Sequence, residues 1–328
     1  MADNKGVMIV GELTEGKLSS ITTEILGAGR SLAESLSDEV ICVLIGDQLG
    51  DNAKTAIAYG ADKVYAVEDA AFKDYQTEAY VAVMDKLVKE ISPRILLMGQ
   101  TAMGRDLAPR LSFRLGVPVA MDCLELNINA DKALEMTRSV YGGNARAIFT
   151  SSDYPQMATI RQKAVAPLAP DDGRNGEVIS YKADIEAVKA KVLETVKEEV
   201  AGIKLEDAEV IVAGGRGIGS ADGFKQLEDL AKVLKGAVGA SRPPCDNGWL
   251  PDTQQIGLTG KIVSPDLYIA VAISGASQHL SGCSGCKNII AINKDPEANI
   301  FKNASFGVVG DWKQVLPALT DKVKELTS

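Results

Sequence analysis

The sequence lacks most of the features that would tie it to a membrane, a nucleic acid or an oxidising compartment. No apolar run approaches the roughly 20 residues needed to cross a bilayer, so no transmembrane segment is expected. The start, Met1-Ala-Asp-Asn-Lys5, has neither a basic stretch nor a long apolar core behind it, and an Arg-rich, acid-poor transit segment is missing as well. Basic residues are outnumbered, 35 against 44 acidic ones, and the net charge of −9 argues against nucleic acid and against an anionic membrane surface. Cysteines number five, an odd count in a chain of 328 residues, which suits a reducing compartment better than a disulfide framework. A cytoplasmic location is the resulting expectation. Low-complexity tracts and short-period repeats are absent, and histidine occurs once, at position 279.

What is present is the balance of a globular protein, 46% apolar and 24% charged, in a chain long enough for two cores. Apolar runs of strand length alternate with helical periodicity from the start. Strands are expected at Gly6–Val10, Glu39–Ile45, Lys63–Val67 and Ile95–Met98, and helices at Ile21–Leu36, Asp51–Tyr59, Thr77–Ile91 and Leu107–Leu115. Such alternation implies βαβ units and a mainly parallel sheet. Gly99–Asp106 marks a strand-to-helix junction that either lines a pocket or is an ordinary loop with Asp106 near the helix start. From Val119 to Ile160 the pattern changes to β segments joined by turns, Gln156–Ile160 among them, which suggests an antiparallel extension. Pro167–Gly176 reads as loop, and the alternating charges of Ile185–Glu199 as a solvated helix or connector.

A boundary near Leu205 divides the chain into an N-terminal α/β domain, 1–205, and a second α/β domain, 206–328. Five strands are expected in the second, at 209–213, 236–240, 267–273, 288–292 and 306–309. The run Leu267–Ile273 is continuous and apolar, as in a parallel sheet buried on both faces, and breaks off at Ser274-Gly-Ala-Ser-Gln-His279. The other strands also hand over to loops rich in ligand-type residues: Gly214–Ser220, Ser241–Gly248, Asn293–Asp295 and Gly310–Trp312, with Gln255–Lys261 between. In a parallel sheet these loops share one edge and can converge on one nucleotide. The glycine loop Gly214–Ser220 is either a phosphate cradle or a simple tight turn, because Ser220 stands where a dinucleotide fingerprint has its third glycine. Cys283-Ser-Gly-Cys286, with His279 and Cys245, offers up to four zinc ligands; a redox dithiol and two incidental buried cysteines are the other readings.

The run Leu267–Gly282, followed by Ile289–Asn293, resembles the signature of the electron-transfer flavoprotein alpha subunit. Gly214-Gly-Arg-Gly217, Gly239-Ala-Ser-Arg242, Gln255–Lys261 and Asn293-Lys-Asp-Pro296 are similar to its other landmarks, in the same order. The resemblance implies a two-domain subunit, each domain a mainly parallel sheet with flanking helices, whose C-terminal domain is a doubly wound fold holding FAD. Carried over by motif, the FAD contacts are Arg216, Ser241, Arg242, Gln255, Ile256, Gly257, Leu258 and Thr259. Ser274, Gly275, Ala276, Ser277, Gln278, His279, Asn293, Asp311 and Trp312 complete the set. Arg242, His279 and Thr259 are the residues it assigns to flavin tuning: Arg242 beside the ring system, His279 near the N1/C2 edge and Thr259 near N5. A cation or donor on the N1/C2 side favours the reduced ring, where negative charge collects. Ser277 departs from the Ile or Val usual at that place.

The resemblance also implies a heterodimer with a beta subunit, which carries most of a second site for AMP or a second FAD. It implies an electron carrier with little substrate chemistry of its own, serving acyl-CoA dehydrogenase-type flavoenzymes and a downstream acceptor, as in fatty acid oxidation. Some members instead bifurcate electrons from NADH. Beside these stand two other classes, a nicotinamide-dependent oxidoreductase on a dinucleotide-binding fold and a zinc-bearing binding module.

Overall fold

The computed structural model describes residues 4–143, 145–183, 192–195 and 202–327, and most of Ile185–Glu199 lies outside them. Two compact units result, Met1–Val140 with Arg146–Val196, and Tyr141–Ala145 with Lys197–Ser328. No described helix is long and apolar enough to cross a membrane.

The first unit opens with β1 (Val7–Gly11), a minimal hairpin β2 (Leu13–Thr14) and β3 (Lys17–Leu18), α1 (Ser20–Leu36), β4 (Val40–Gly46), α2 (Asn52–Ala58) and β5 (Lys63–Glu68). There follow α3 (Thr77–Ile91), β6 (Ile95–Gly99), α4 (Ala102–Leu115), β7 (Val119–Ile128), β8 (Leu134–Val140), β9 (Ala145–Phe149), β10 (Gln156–Ile160) and β11 (Glu177–Ser180). The sheet order is β11-β5-β4-β1-β6-β10-β7-β8-β9. Alternation along each central strand serves two cores: Val7 and Ile9 pack with α1 and α2 on one face, Met8 and Val10 with α3 and α4 on the other. Burial on both faces is why these strands read as unbroken apolar runs.

Three expectations need correction. Gln156–Ile160 does not extend the antiparallel part; it inserts between β6 and β7, parallel to both, in the register Gln156↔Ile95 to Ile160↔Gly99. All five residues are buried, and the Gln156 amide oxygen accepts from the Leu134 backbone N–H at 2.9 Å, so its one long polar side chain is satisfied inside the sheet. β7 and β8 form an antiparallel pair as expected there, and β9 lies beside β8 at the sheet edge. Helix α4 begins at Ala102, five residues before Leu107. Thr101 caps it by accepting from the Gly104 N–H at 3.0 Å, and Asp106 therefore lies inside the helix, accepting from Thr77 and Tyr75. Strand β11 was not expected: it is four residues long, mostly exposed, and pairs with β5 at the sheet edge.

The second unit contains β12 (Val210–Gly214), α5 (Ala221–Val233), β13 (Ala237–Ala240), α6 (Arg242–Asp246), β14 (Leu267–Val271), α7 (Ser277–Cys283), β15 (Asn288–Asn293), β16 (Phe306–Val309) and α8 (Trp312–Thr327). All four pairings are parallel in the order β13-β12-β14-β15-β16. Phe224, Leu227 and Leu230 of α5 and Leu316 of α8 cover one face; Ile256, Val263 and Cys283 cover the other. Chain order reverses between β12 and β14, the place where doubly wound sheets leave a crevice beyond their carboxyl ends.

The first unit also buries a carboxyl just past β1. Glu12 accepts from the Thr101 hydroxyl at 2.8 Å, and burial pushes its pKa up to about 7 against that bond. Between the ordinary value of 4.5 and about 7 the folded chain keeps a proton that the unfolded chain has lost. Stability therefore falls as pH rises through that window and levels off above it. Glu12→Gln keeps an acceptor for Thr101 and removes the charge; it is expected to stabilise by about 1–3 kcal/mol near pH ~8 and by much less near pH ~5. Urea unfolding of the two proteins at both pH values checks this, and equal effects at both would contradict it.

Candidate functional site: a cleft at the carboxyl edge of the second sheet

Four of the loops beyond β12–β15, together with the segment 255–259, enclose a cleft of about 680 Å³. The loop after β12 contributes Arg216 and Gly217, and the start of α6 after β13 contributes Ser241, Arg242 and Pro243. Gln255, Ile256, Gly257, Leu258 and Thr259 form another wall, facing Ala272, Ile273, Ser274, Ala276, Gln278 and His279 from the β14–α7 connection. Asn293, Asp295 and Ala298 close the far end.

Close backbone approach explains the small residues. A methyl on Gly215 would lie 2.1 Å from the Ala272 carbonyl oxygen, so the loops after β12 and β14 meet at a distance no other residue allows. Ala272 itself sits at φ +54°, a left-handed turn that ends β14 two residues short of the expected Ile273. Asn293 ties two loops together: its side-chain N–H₂ donates to the Ile273 carbonyl at 2.8 Å and its oxygen accepts from the Asp295 N–H at 3.0 Å. The segment 255–261 is held to α7 by the Leu258 N–H donating to the Gln278 carbonyl at 2.8 Å.

The charged and titratable lining consists of two exposed arginines, the exposed Asp295 carboxylate and one buried histidine. Arg216 is exposed at the cleft, and Arg242 donates to both carboxylate oxygens of Asp246 at 3.2 and 3.4 Å, one helical turn on. Such an exposed pair contributes little to stability and leaves Arg242 available to a ligand. His279 is buried, and both ring nitrogens are engaged: Nδ1 with the Ile256 carbonyl and Nε2 with the Tyr268 hydroxyl, each at 3.0 Å. Burial lowers its pKa to about 4 although the Ile256 bond works the other way, so the ring is neutral. Gln255 donates from Nε2 to the Thr259 hydroxyl oxygen at 3.0 Å, which leaves the Thr259 O–H proton to point elsewhere.

Of the residues singled out in the sequence, the structure does not bring four into this cleft. Gly275 and Ser277 line a separate cavity of about 490 Å³ with Leu280, Cys283, Cys286 and Lys302. Asp311 and Trp312 line a smaller recess of about 180 Å³, which shares Gly217, Ala272 and Asn293 with the main cleft. The Trp312 indole N–H donates to the Gly217 carbonyl at 3.1 Å, and the Asp311 carboxylate accepts from the Lys313 N–H at 3.0 Å, so both also shape the start of α8. Gly217, Pro243, Ala272, Ile273 and Ala298 line the cleft without having been assigned to the site; their loops were legible, but apolar and backbone surface carries no chemical signature in a sequence. Asp295, the end of the ligand-type loop Asn293–Asp295, lines it as well. A further cleft of about 650 Å³ with Lys204, Glu206, Lys232 and Lys261 lies toward the amino end of β13, away from the converging loops.

Among the described residues no group of three or more His, Cys, Asp or Glu is placed to hold a metal, and all five cysteines are free thiols. Burial pushes the Cys42 and Cys123 thiols up to about 12 and Cys245 to about 11, out of the reactive range.

Comparison with known proteins shows what kind of domain carries this cleft. Residues 7–186 match the electron transfer flavoprotein domain and residues 204–284 the electron transfer flavoprotein FAD-binding domain. The electron transfer flavoprotein subunit alpha of Thermoanaerobacterium thermosaccharolyticum is 44% identical, over 99% of this chain and 100% of the relative. The chain belongs to the electron-transfer flavoprotein alpha family. The alpha subunits of Megasphaera elsdenii and Bacillus subtilis are 43% and 42% identical, each over at least 98% of both chains. Family membership gives the second unit FAD as its cofactor. The cleft fits that group: cationic side chains at Arg216 and Arg242, hydroxyls and amides at Ser241, Ser274, Gln278 and Asn293, and apolar wall at Ile256, Ile273 and Ala276.

A second close approach, between α7 and the 255–261 segment, is testable. A methyl on Gly282 would lie 2.4 Å from the Gly257 nitrogen and 2.5 Å from its Cα, backbone atoms that cannot swing aside. Gly282→Ala is expected to destabilise the second unit by about 1–3 kcal/mol and to speed amide exchange across 255–261. Melting and exchange at wild-type levels would contradict this packing.

Proposed function

We propose that this chain is the FAD-carrying alpha subunit of a heterodimer with a beta subunit, passing electrons singly between acyl-CoA dehydrogenase-type flavoenzymes and a downstream acceptor. The observation that carries the reading is the convergence of Arg216, Arg242 and the 255–259 and 272–279 backbone at the switch point of an FAD-binding domain. Bound FAD supplies the one- and two-electron redox chemistry. The chain's own residues bind, orient and polarise.

Arg216 and the small-residue loops would hold the pyrophosphate through charge and backbone N–H groups. Arg242 supplies the positive charge that favours electron uptake by the ring system, and Thr259 has a hydroxyl proton to offer because Gln255 already donates to its oxygen. His279 contributes as a neutral wall residue, since its nitrogens are committed to Ile256 and Tyr268. The carrier role asks for no acid, base or nucleophile. Ser241, Gln278 and Asn293 orient the cofactor, and Asp311 and Trp312 act from the adjoining recess. The domain division, near residue 205, and a cytoplasmic setting belong to the same reading.

The test is a visible spectrum of the chain purified with its beta subunit, followed by chromatography of the nucleotides released on denaturation. One FAD with AMP per heterodimer supports a simple electron shuttle; two FADs without AMP support NADH-driven bifurcation; a folded pair without flavin removes the proposal. Arg242→Ala is expected to lower the first reduction potential by roughly 10–40 mV, the range an exposed charge contributes. A redox titration indistinguishable from wild type would remove Arg242 from the tuning role.

A further inference from the structure

Tyr268 is the second residue of β14, an apolar strand where phenylalanine would fill the same space. It is fully buried in the core under the cleft, and its hydroxyl lies 3.0 Å from His279 Nε2. A buried hydroxyl without a partner is costly, so its presence calls for a bond worth making. The roles in that bond follow from the other side of the ring. The Ile256 carbonyl, 3.0 Å from Nδ1, can only accept; Nδ1 therefore carries the hydrogen, Nε2 of the neutral ring is an acceptor, and the tyrosine donates. Burial raises the phenol pKa well above its ordinary value, with the thiols of Cys283 and Cys286 adding to the effect, so the donor keeps its proton.

The ring so clamped joins three elements. Ile256 belongs to the wall segment 255–259, His279 to α7 and Tyr268 to β14, and the Leu258–Gln278 backbone bond lies alongside. We propose that Tyr268 is a positioning residue of the cleft: by donating to Nε2 it holds His279 as the Nδ1–H tautomer, and the held ring staples the 255–261 segment to α7. Its consequence for cofactor binding rests on the reading of the cleft as the FAD site. The staple itself does not.

His279 is the only histidine in the chain, which makes the test site-specific. The chain is labelled with ¹⁵N-histidine, paired with unlabelled beta subunit and observed by NMR at neutral pH, with and without Tyr268→Phe. Wild type is expected to show a pyrrole-type Nδ1 and a pyridine-type, hydrogen-bonded Nε2; a protonated Nε2 would overturn the proposal before any variant is made. In Tyr268→Phe the Nε2 signal should report loss of the bond, and exchange of the Leu258 amide should quicken about 2- to 10-fold, the range set by one buried hydrogen bond. FAD should be released more readily by a similar factor. A broken Nε2 bond with Leu258 exchange and FAD affinity both at wild-type levels would overturn the positioning role. The predicted tautomer and quickened exchange in a pair that binds no FAD would support the staple and sink the cofactor reading instead.

Discussion

Parallel strands buried on both faces can carry function at only one edge, and this constraint organises the second unit. A strand such as β14 has no solvent face on which to display a polar side chain, so recognition is displaced into the loops beyond the carboxyl ends. The order β13-β12-β14-β15-β16 then sends the connections after β12 and β14 in opposite directions. The gap between them is kept open, yet the two loops meet at its floor, because Gly215 has no Cβ to collide with Ala272. Arg216, Arg242 and the β14–α7 connection reach one space as a consequence.

That space is electrostatically asymmetric. Its cations are exposed and weakly engaged, Arg242 by Asp246, so they can turn to an anionic ligand without breaking the fold. Its histidine is the opposite case: buried, neutral and bonded on both sides. Charge is therefore supplied from the rim and rigidity from beneath. A redox carrier asks for this division, since its cofactor has to change charge while the surroundings stay put.

The fold was largely legible. Continuous apolar runs placed most of the strands of both units and period-3.6 patterns the helices of the first, with Thr77–Ile91 and Phe306–Val309 recovered at their ends. Errors fell where a local pattern admits more than one partner. Gln156–Ile160 reads as a strand either way, and only the packing of all five of its residues between β6 and β7 makes it parallel. The start of α4 was obscured because its cap, Thr101, precedes small and polar residues that look like loop.

What the sequence by itself determined is the chemistry offered: a parallel α/β architecture, glycine-rich and arginine-bearing loops after named strands, a single histidine, and motifs specific enough to assign the family. Those are properties of short stretches, set by periodicity, steric freedom and residue type. Tertiary structure alone decided which of those residues share a space. It separated Gly275 and Ser277 from their neighbours Ala276 and Gln278, because successive residues entering a short helix point to different sides. It also turned His279 from a candidate donor into a clamped ring, because the bonds that hold it come from a strand and a loop that only the packing of α7 brings to it.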